Sequence, residues 1–458
     1  MSQSPDPVPP TPTGDTPSVP EGKPAPIAAE HGSPNIIGPQ LPIPTLGVQP
    51  TKQRPIWFVA FAFLAQFGLF TALLAPVMVS MQLKVNTLTS DPIAQAKMMG
   101  TILPWGALAA VVFNVLGGRL SDRTTLIWGR RRPWIIIGSA GLLLSLLIVA
   151  AGHSTVILAI GWFLAQSCAN LGFAAFTASL SDQLAEKQYG KTSGLIGIAQ
   201  NVGIMMATWM GSWFDYSMLL LFLVPALVGF VCMTLYALTL PEPVLKENAT
   251  PFNWKEFFGA FWTNPVRYPD FALAWIGRFM IILSSYLFIT FRLQYMTHHL
   301  GLAEHKATAA VATGVTIYTI VSMVAGLAAG WLSDATGRRK VLVAFSIVIF
   351  SLGTYLLLHA NSIGFFYMCE AIMGLAYGSY IAVDLALIFD VLPDRVNNGK
   401  DLGVMNMANA LPQSLAPALG GWLLATLGGG TNFTPLLVSA AVVGIIGAVA
   451  TMFIKSVK

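Results

Sequence analysis

The sequence predicts an all-α membrane protein, with twelve transmembrane helices in two six-helix halves and both termini cytoplasmic. Three observations carry that expectation. The 458-residue chain is 55% hydrophobic and only 10% charged, whereas soluble domains carry about a quarter charged residues. A bilayer-crossing helix needs roughly 20 predominantly apolar residues, and twelve runs of that kind follow residue 54. Two motifs of the first six runs recur in the last six at nearly one offset.

Residues 1–54 are rich in Pro, Ser, Thr and Gly and hold no apolar run of helix length, so a disordered cytoplasmic tail is expected. No basic stretch before a short apolar core marks a cleaved signal peptide. Apolar runs and their breakers place the first six spans at about Ile56 to Gln82, Met98 to Gly117, Pro133 to Ala151, Ile157 to Leu180, Thr192 to Phe214 and Met218 to Leu240. The last six fall at about Phe271 to Met296, Ala307 to Gly330, Val341 to His359, Ile363 to Phe389, Leu402 to Leu427 and Phe433 to Ile454. The halves are then 55–240 and 271–458, joined by a more polar cytoplasmic loop, 241–270.

Orientation follows from Lys and Arg. Lys84, Lys97 and Lys306 fall on one side and Arg278 and Arg292 within the seventh span; the other 20 of the 25 basic residues lie on the side of the termini. That side is assigned to the cytoplasm of a multi-pass cell-membrane protein. The formal charge of +5 is therefore a topology signal, not a nucleic-acid surface. Cys168, Cys232 and Cys369 sit inside apolar runs without metal-ligand or C-x-x-C spacing, which argues for small core residues and no disulfide or zinc framework.

After the second span the chain reads Gly117-Gly118-Arg119-Leu120-Ser121-Asp122-Arg123, then Gly129-Arg130-Arg131-Arg132. After the eighth it reads Ala329-Gly330-Trp331-Leu332-Ser333-Asp334, then Gly337-Arg338-Arg339-Lys340. A second pair couples Asp182 and Gly190-Lys191-Thr192-Ser193-Gly194 to Asp390 and Gly399-Lys400-Asp401-Leu402-Gly403. The offsets, 212 residues for Asp122 and Asp334 and 208 for Asp182 and Asp390, mark duplicated halves. Read as loops, these motifs let helix ends approach at Gly118 and pair Asp122, Asp182, Asp334 and Asp390 with helix termini or with Arg123, Arg130, Arg131, Arg132 and Arg338. Such contacts are expected to latch the cytoplasmic side and to break when the halves rock apart; the plainer alternative is that the arginines only fix orientation.

The paired G-x-L-S-D segments resemble the signature of the major facilitator superfamily. Trp128-Gly129-Arg130-Arg131-Arg132-Pro133, with Tyr380-Ile381-Ala382-Val383-Asp384 and Asp390-Val391-Leu392-Pro393-Asp394, resembles its sucrose:proton symporter and glycoside:cation symporter branch. The similarity spans about residues 56–454 and implies the major facilitator fold and sugar transport. Relatives in that branch often carry an arginine in the fourth span shortly before its terminal Asp; here Thr177 stands at that place, so the chain lacks that cation.

Glu370 and Asp384 are the two of the 20 acidic residues that lie well inside an apolar run. An ionised Asp at mid-span costs about 2.5 to 3.5 kcal/mol on insertion scales, so it should face water or a partner. Fourteen residues apart on the tenth span, the two carboxyls point within about 40° of each other and lie about 21 Å apart along the axis. Asp384, Glu370 and a counter-charge at Arg278 are the expected proton-coupling groups, with a static ion pair as the alternative; Arg292 is expected to snorkel outward.

Neutral amides supply the candidate solute contacts, because hydroxyl-rich ligands need groups that both donate and accept. They are Gln66, Gln166 and Asn170, Gln200, and Asn406, Asn409 and Gln413. Interhelical hydrogen bonding is the competing use. No phosphate-binding motif, nucleotide domain or metal spacing is present, so no cofactor is expected and an ion gradient should drive the cycle. The expected partners are a small solute, preferably a sugar, together with protons and membrane lipids, and the expected unit is a monomer. Export or antiport of another organic solute, or a non-transporting membrane sensor, are the alternatives.

Overall fold

A computed structural model of the chain describes residues 53–242, 263–393 and 399–457, without the side chains of residues 186, 399, 400 and 402. Most of the N-terminal tail and residues 243–262 of the central loop lie outside the described residues. The fold is all-helical. Its long helices are α1 (Ile56–Leu88), α2 (Pro92–Asp122), α3 (Arg132–Ala151), α4 (Thr155–Gln183), α5 (Glu186–Trp213) and α6 (Met218–Thr239). The second set is α7 (Pro269–His298), α8 (Glu304–Thr336), α9 (Arg339–His359), α10 (Ile363–Val391), α11 (Gly399–Thr426) and α12 (Thr434–Met452). Ten are long and apolar enough to cross a bilayer by themselves. The other two, α5 and α11, carry the Gly-Lys motifs near their N-termini and hold equivalent places in the halves.

Most helices outlast the apolar runs. Gly117–Asp122 and Ala329–Asp334 are the last turns of α2 and α8, not loops as their polarity implies. Hydropathy marks where a helix leaves the apolar medium; hydrogen bonding continues until something stops it. For α8 the stop is Gly337, whose φ of 65° returns its N–H to the Ser333 carbonyl. At the opposite end of the bundle, Asp91, Ser154, Ser217 and Ser362 cap α2, α4, α6 and α10 with their side chains.

Packing repeats as the sequence motifs do. In the first half α1 packs on α5 and α6, α2 and α3 on α4, and α3 on α6. Adding six to each number gives the second half: α7 on α11 and α12, α8 and α9 on α10, and α9 on α12. The halves meet where α2 packs on α11 and α5 on α8. At the first contact a Cβ on Gly421 would stand 2.8 Å from the Gly100 Cα, so only glycine permits that approach.

Of the side-chain hydrogen bonds described between the halves, Trp209 to Thr316 lies deeper in the interface and the others lie at the end away from the termini. There Asp215 receives Thr308 Oγ1 at 3.0 Å and faces His305 Nδ1 at 2.7 Å. His298 Nε2 meets Gln95 Oε1 at 3.1 Å, Asn86 donates to Glu304, and Gln294 donates to the Pro92 carbonyl. At the terminal end, Gly118, Gly190, Gly194 and Gly330 would have no atom within 4 Å of an added Cβ. Among the described residues, the contacts that close the halves together therefore gather at the end away from the termini.

Candidate functional site

Helix irregularities converge on the space between the halves. The segment Pro76–Ser80 of α1 makes a π-helical turn, Pro104 lies inside α2, and Pro412 and Pro417 lie inside α11. Val77, Leu103, Ala107, Ala110, Trp162, Gln166, Tyr286, Thr290, Gln413 and Pro417 wall a small, partly open cavity. Two aromatic faces, two amides and a hydroxyl line it, and no charged side chain does.

Beside the cavity, α7 and α10 run antiparallel and carry two ion pairs. Arg278 Nη1 lies 3.4 Å from Asp384 Oδ2, and Arg292 Nε lies 3.0 Å from Glu370 Oε1. Each helix places its two charges fourteen residues apart, so opposite residues pair like rungs. The rungs differ in access. The Arg278 side chain is 20% exposed and also donates to Asn409 Oδ1 at 2.8 Å, while Arg292 and Glu370 are 4% and 0% exposed. Arg292 therefore does not snorkel outward: a buried carboxylate offers it a partner that water at the helix end would otherwise supply.

The candidate amides divide. Gln166 and Gln413 line the cavity. Asn170 donates to the Gln166 carbonyl at 2.8 Å and its Oε1 at 3.1 Å, holding that side chain. Gln66 is fully buried and donates to Gln200 Oε1 at 3.2 Å. Asn406 is exposed. The Gln66 and Gln200 pair on α1 and α5 answers the Arg278 and Asn409 pair on α7 and α11, so the repeat keeps the position but charges only the second copy. Thr177 bonds its own helix, at the Phe173 and Ala174 carbonyls.

At the terminal end the motif residues brace helices within each half. Arg131 is fully buried and pairs with Asp122 at 2.5 Å and Asp182 at 3.2 Å; its guanidinium also donates to Ser121 Oγ at 2.5 Å. Arg130 pairs with Asp182 at 2.5 Å and Arg132 donates to the Leu240 carbonyl. The counterpart in the second half is thinner, with Arg339 to Asp390 at 2.7 Å and roughly a third of each side chain exposed. Asp334 and Arg338 are exposed, and Arg123 ends α2. The described partners of Asp122, Asp182 and Asp390 lie in their own halves, where they brace neighbouring helices.

Several site residues escaped the sequence reading. Glu242 caps α3, accepting from the Arg131 and Arg132 N–H groups at 2.9 and 3.1 Å. Burial raises its carboxyl above the ordinary range, against those N–H bonds and the Arg131 and Arg130 charges. Gly129, at φ 96°, leaves the space that the Glu242 side chain fills. Trp162, Tyr286 and Thr290 looked like ordinary apolar-run residues; only the packing of α4 and α7 across the interface turns them to the cavity.

A helical membrane protein with two related halves, a cavity between them and buried ion pairs beside it has the architecture of a membrane transporter. The chain belongs to the Major Facilitator Superfamily, whose family model matches residues 56–306 and 274–458. Ten helices long and apolar enough to cross a bilayer make it a multi-pass membrane protein. It is 31% identical over 128 residues, 28% of this chain and 31% of the relative, to the purine ribonucleoside efflux pump NepI of Escherichia coli. Over 112 residues it is 34% identical to a probable 4-methylmuconolactone transporter of Cupriavidus pinatubonensis, covering 24% of this chain and 26% of that one. A third relative, the uncharacterized transporter YfiU of Bacillus subtilis, is 31% identical over 24% of this chain and 21% of its own. The chain thus spans between a fifth and a third of these relatives' lengths. Among solved structures, the nucleoside transporter NupG superposes with a TM-score of 0.66 at 17% identity, over 87% of this chain and 98% of that one. A bacterial homologue of the human lysosomal transporter Spinster, inward-facing and unoccupied, gives 0.64 at 15% identity, over 88% and 95%.

Proposed function

We propose that the protein is a proton-coupled symporter that carries a neutral sugar, a disaccharide or glycoside, into the cytoplasm by alternating access. The observation that supports this best is the uncharged cavity of aromatic and amide walls beside a partly exposed Arg278–Asp384 pair. Aromatic faces take the apolar side of a sugar ring, and the Gln166 and Gln413 amides both donate to and accept from its hydroxyls. A carboxyl that exchanges an arginine for a proton alters the stability of one helix packing relative to another. The excess of Lys and Arg on the side of the termini favours a cytoplasmic terminal end.

The printed names of NepI and NupG favour a second reading, a nucleoside, which also combines hydroxyls with a flat apolar ring. Proteoliposomes with an inwardly directed proton gradient, offered labelled disaccharides, glycosides and nucleosides in turn, decide between them. Accumulation of a sugar that collapses with a protonophore is expected. Accumulation of nucleosides alone would move the assignment to the second reading, and absence of flux for every solute would favour a sensor.

A further inference from the structure

Hydrogen bonds behind the cavity wall fix which way its polar groups can act. Gln166 follows Trp162 by one helical turn on α4 and both line the cavity, so one face of that helix is turned toward it. One turn further on, Asn170 Nδ2 donates to the Gln166 backbone carbonyl at 2.8 Å and to its side-chain Oε1 at 3.1 Å. A backbone carbonyl can only accept, so the Asn170 atom is a nitrogen and the Gln166 side-chain atom beside it an oxygen. Asn114 Nδ2 of α2 stands 3.5 Å from Asn170 Oδ1 and holds the other end of that amide. The Gln166 oxygen is thus engaged, while its Nε2 has no acceptor among the described residues, in a residue only 8% exposed. The Trp162 N–H is buried against α2, where a Cβ on Gly106 would overlap it, and it finds no acceptor either. The wall from the second half has the opposite sign. Thr290 of α7 is buried and its Oγ1 donates to the Tyr286 carbonyl at 2.8 Å. Its one proton is spent there, so only lone pairs are left to the cavity. Gln413 of α11 can act either way.

We propose that the cavity selects its solute by this polarity. Gln166 Nε2 of the first half donates to an acceptor atom of the solute, and Thr290 Oγ1 of the second half accepts from a solute hydroxyl or N–H. Asn170 is the positioning residue that keeps the Gln166 amide turned donor-outward. The solute class is then a neutral molecule that presents an acceptor to α4 and a donor to α7. Of the two ends of the Gln166 amide, recognition uses the donating one.

The inference rests on the cavity being the solute site of the proposed function, and the test keeps the two apart. Equilibrium binding to the purified full chain is measured for sucrose, methyl glucoside and adenosine, each with its monodeoxy and monodeoxyfluoro analogues. Fluorine can accept but not donate, and hydrogen does neither. At one position of the parent that binds, hydrogen should weaken binding about fivefold and fluorine distinctly less. At another position both should weaken it, because Thr290 needs a donor. Gln166→Leu should erase the first distinction and Thr290→Val the second loss, in variants first checked for folding by size-exclusion profile. Asn170→Leu frees the Gln166 amide to turn, so the hydroxyl parent should become distinctly better than its fluoro analogue at the first position. Binding of adenosine alone would move the proposed function to its second reading, and the pattern on the ribose would still decide the inference. Binding of none of the three parents would overturn both. A parent that binds, with fluorine no better than hydrogen at every position or with a pattern unmoved by Gln166→Leu, would overturn this inference alone. Asn170→Leu with the pattern of the intact protein would overturn the positioning role.

Discussion

Arg278 and Arg292 share a helix and a spacing, yet their surroundings give them different work. Arg292 and Glu370 are sealed, so removing one charge leaves the other buried without a counter-ion, which costs about 3 to 5 kcal/mol. Arg278 is 20% exposed and also has Asn409 as a partner when Asp384 is neutralised. Glu370→Gln should therefore lower the thermal unfolding midpoint in detergent clearly more than Asp384→Asn; equal losses would contradict separate roles for the rungs. Both acids were legible in the sequence because an acid inside an apolar run has no other reason to be there. The pairing of Arg292 was not, because a basic residue two turns from a helix end snorkels or pairs depending on what the neighbouring helix presents. Trp162 and Tyr286 were invisible for a related reason: in a lipid-facing run aromatic residues are the expected composition.

Helices α2, α3 and α4 are braced at their terminal ends far more deeply than α8, α9 and α10. Asp182 serves Arg130 and Arg131 with 4% of its side chain exposed, whereas the Asp390 side chain is 32% exposed. Breaking the first network should cost about 3 to 5 kcal/mol and the second about 1 kcal/mol or less. Asp182→Asn is thus expected to lower the folded yield and melting temperature strongly, and Asp390→Asn only slightly. The reverse order, read by size-exclusion profile and thermal melt, would show that the second copy carries the strain. Glu242→Ala should remove the cap of α3, at about 1 kcal/mol, which the same melt measures. The number and order of helices could be read from apolar runs, but their ends could not. Polar residues such as Arg119 and Ser121 continue a helix beyond the membrane, and the cap from Glu242 comes from 110 residues downstream of Arg132.

In the whole molecule, the duplicated motifs and the six-shifted packing describe one event, a half built twice, and this was the most legible feature of the sequence. The state of the halves was not legible, because contacts that hold one end closed, such as Gln95 with His298, use residues with no motif. In a chain with Cys168, Cys232 and Cys369 replaced, Gln95→Cys with His298→Cys should be bridged by a short reducible bifunctional thiol reagent. Transport should then stop and return on reduction; unimpaired transport in the bridged protein would mean that this end need not open. The halves are asymmetric, with the amides Gln66 and Gln200 where the second half has Arg278 and Asn409, so the proposed proton coupling would use the second half. Solute-driven proton movement in proteoliposomes carrying Asp384→Asn tests that most directly. The expected result is loss of both proton uptake and accumulation against a gradient, with solute exchange at equal concentrations retained. Accumulation in Asp384→Asn with the pH dependence of the unaltered protein would contradict the account.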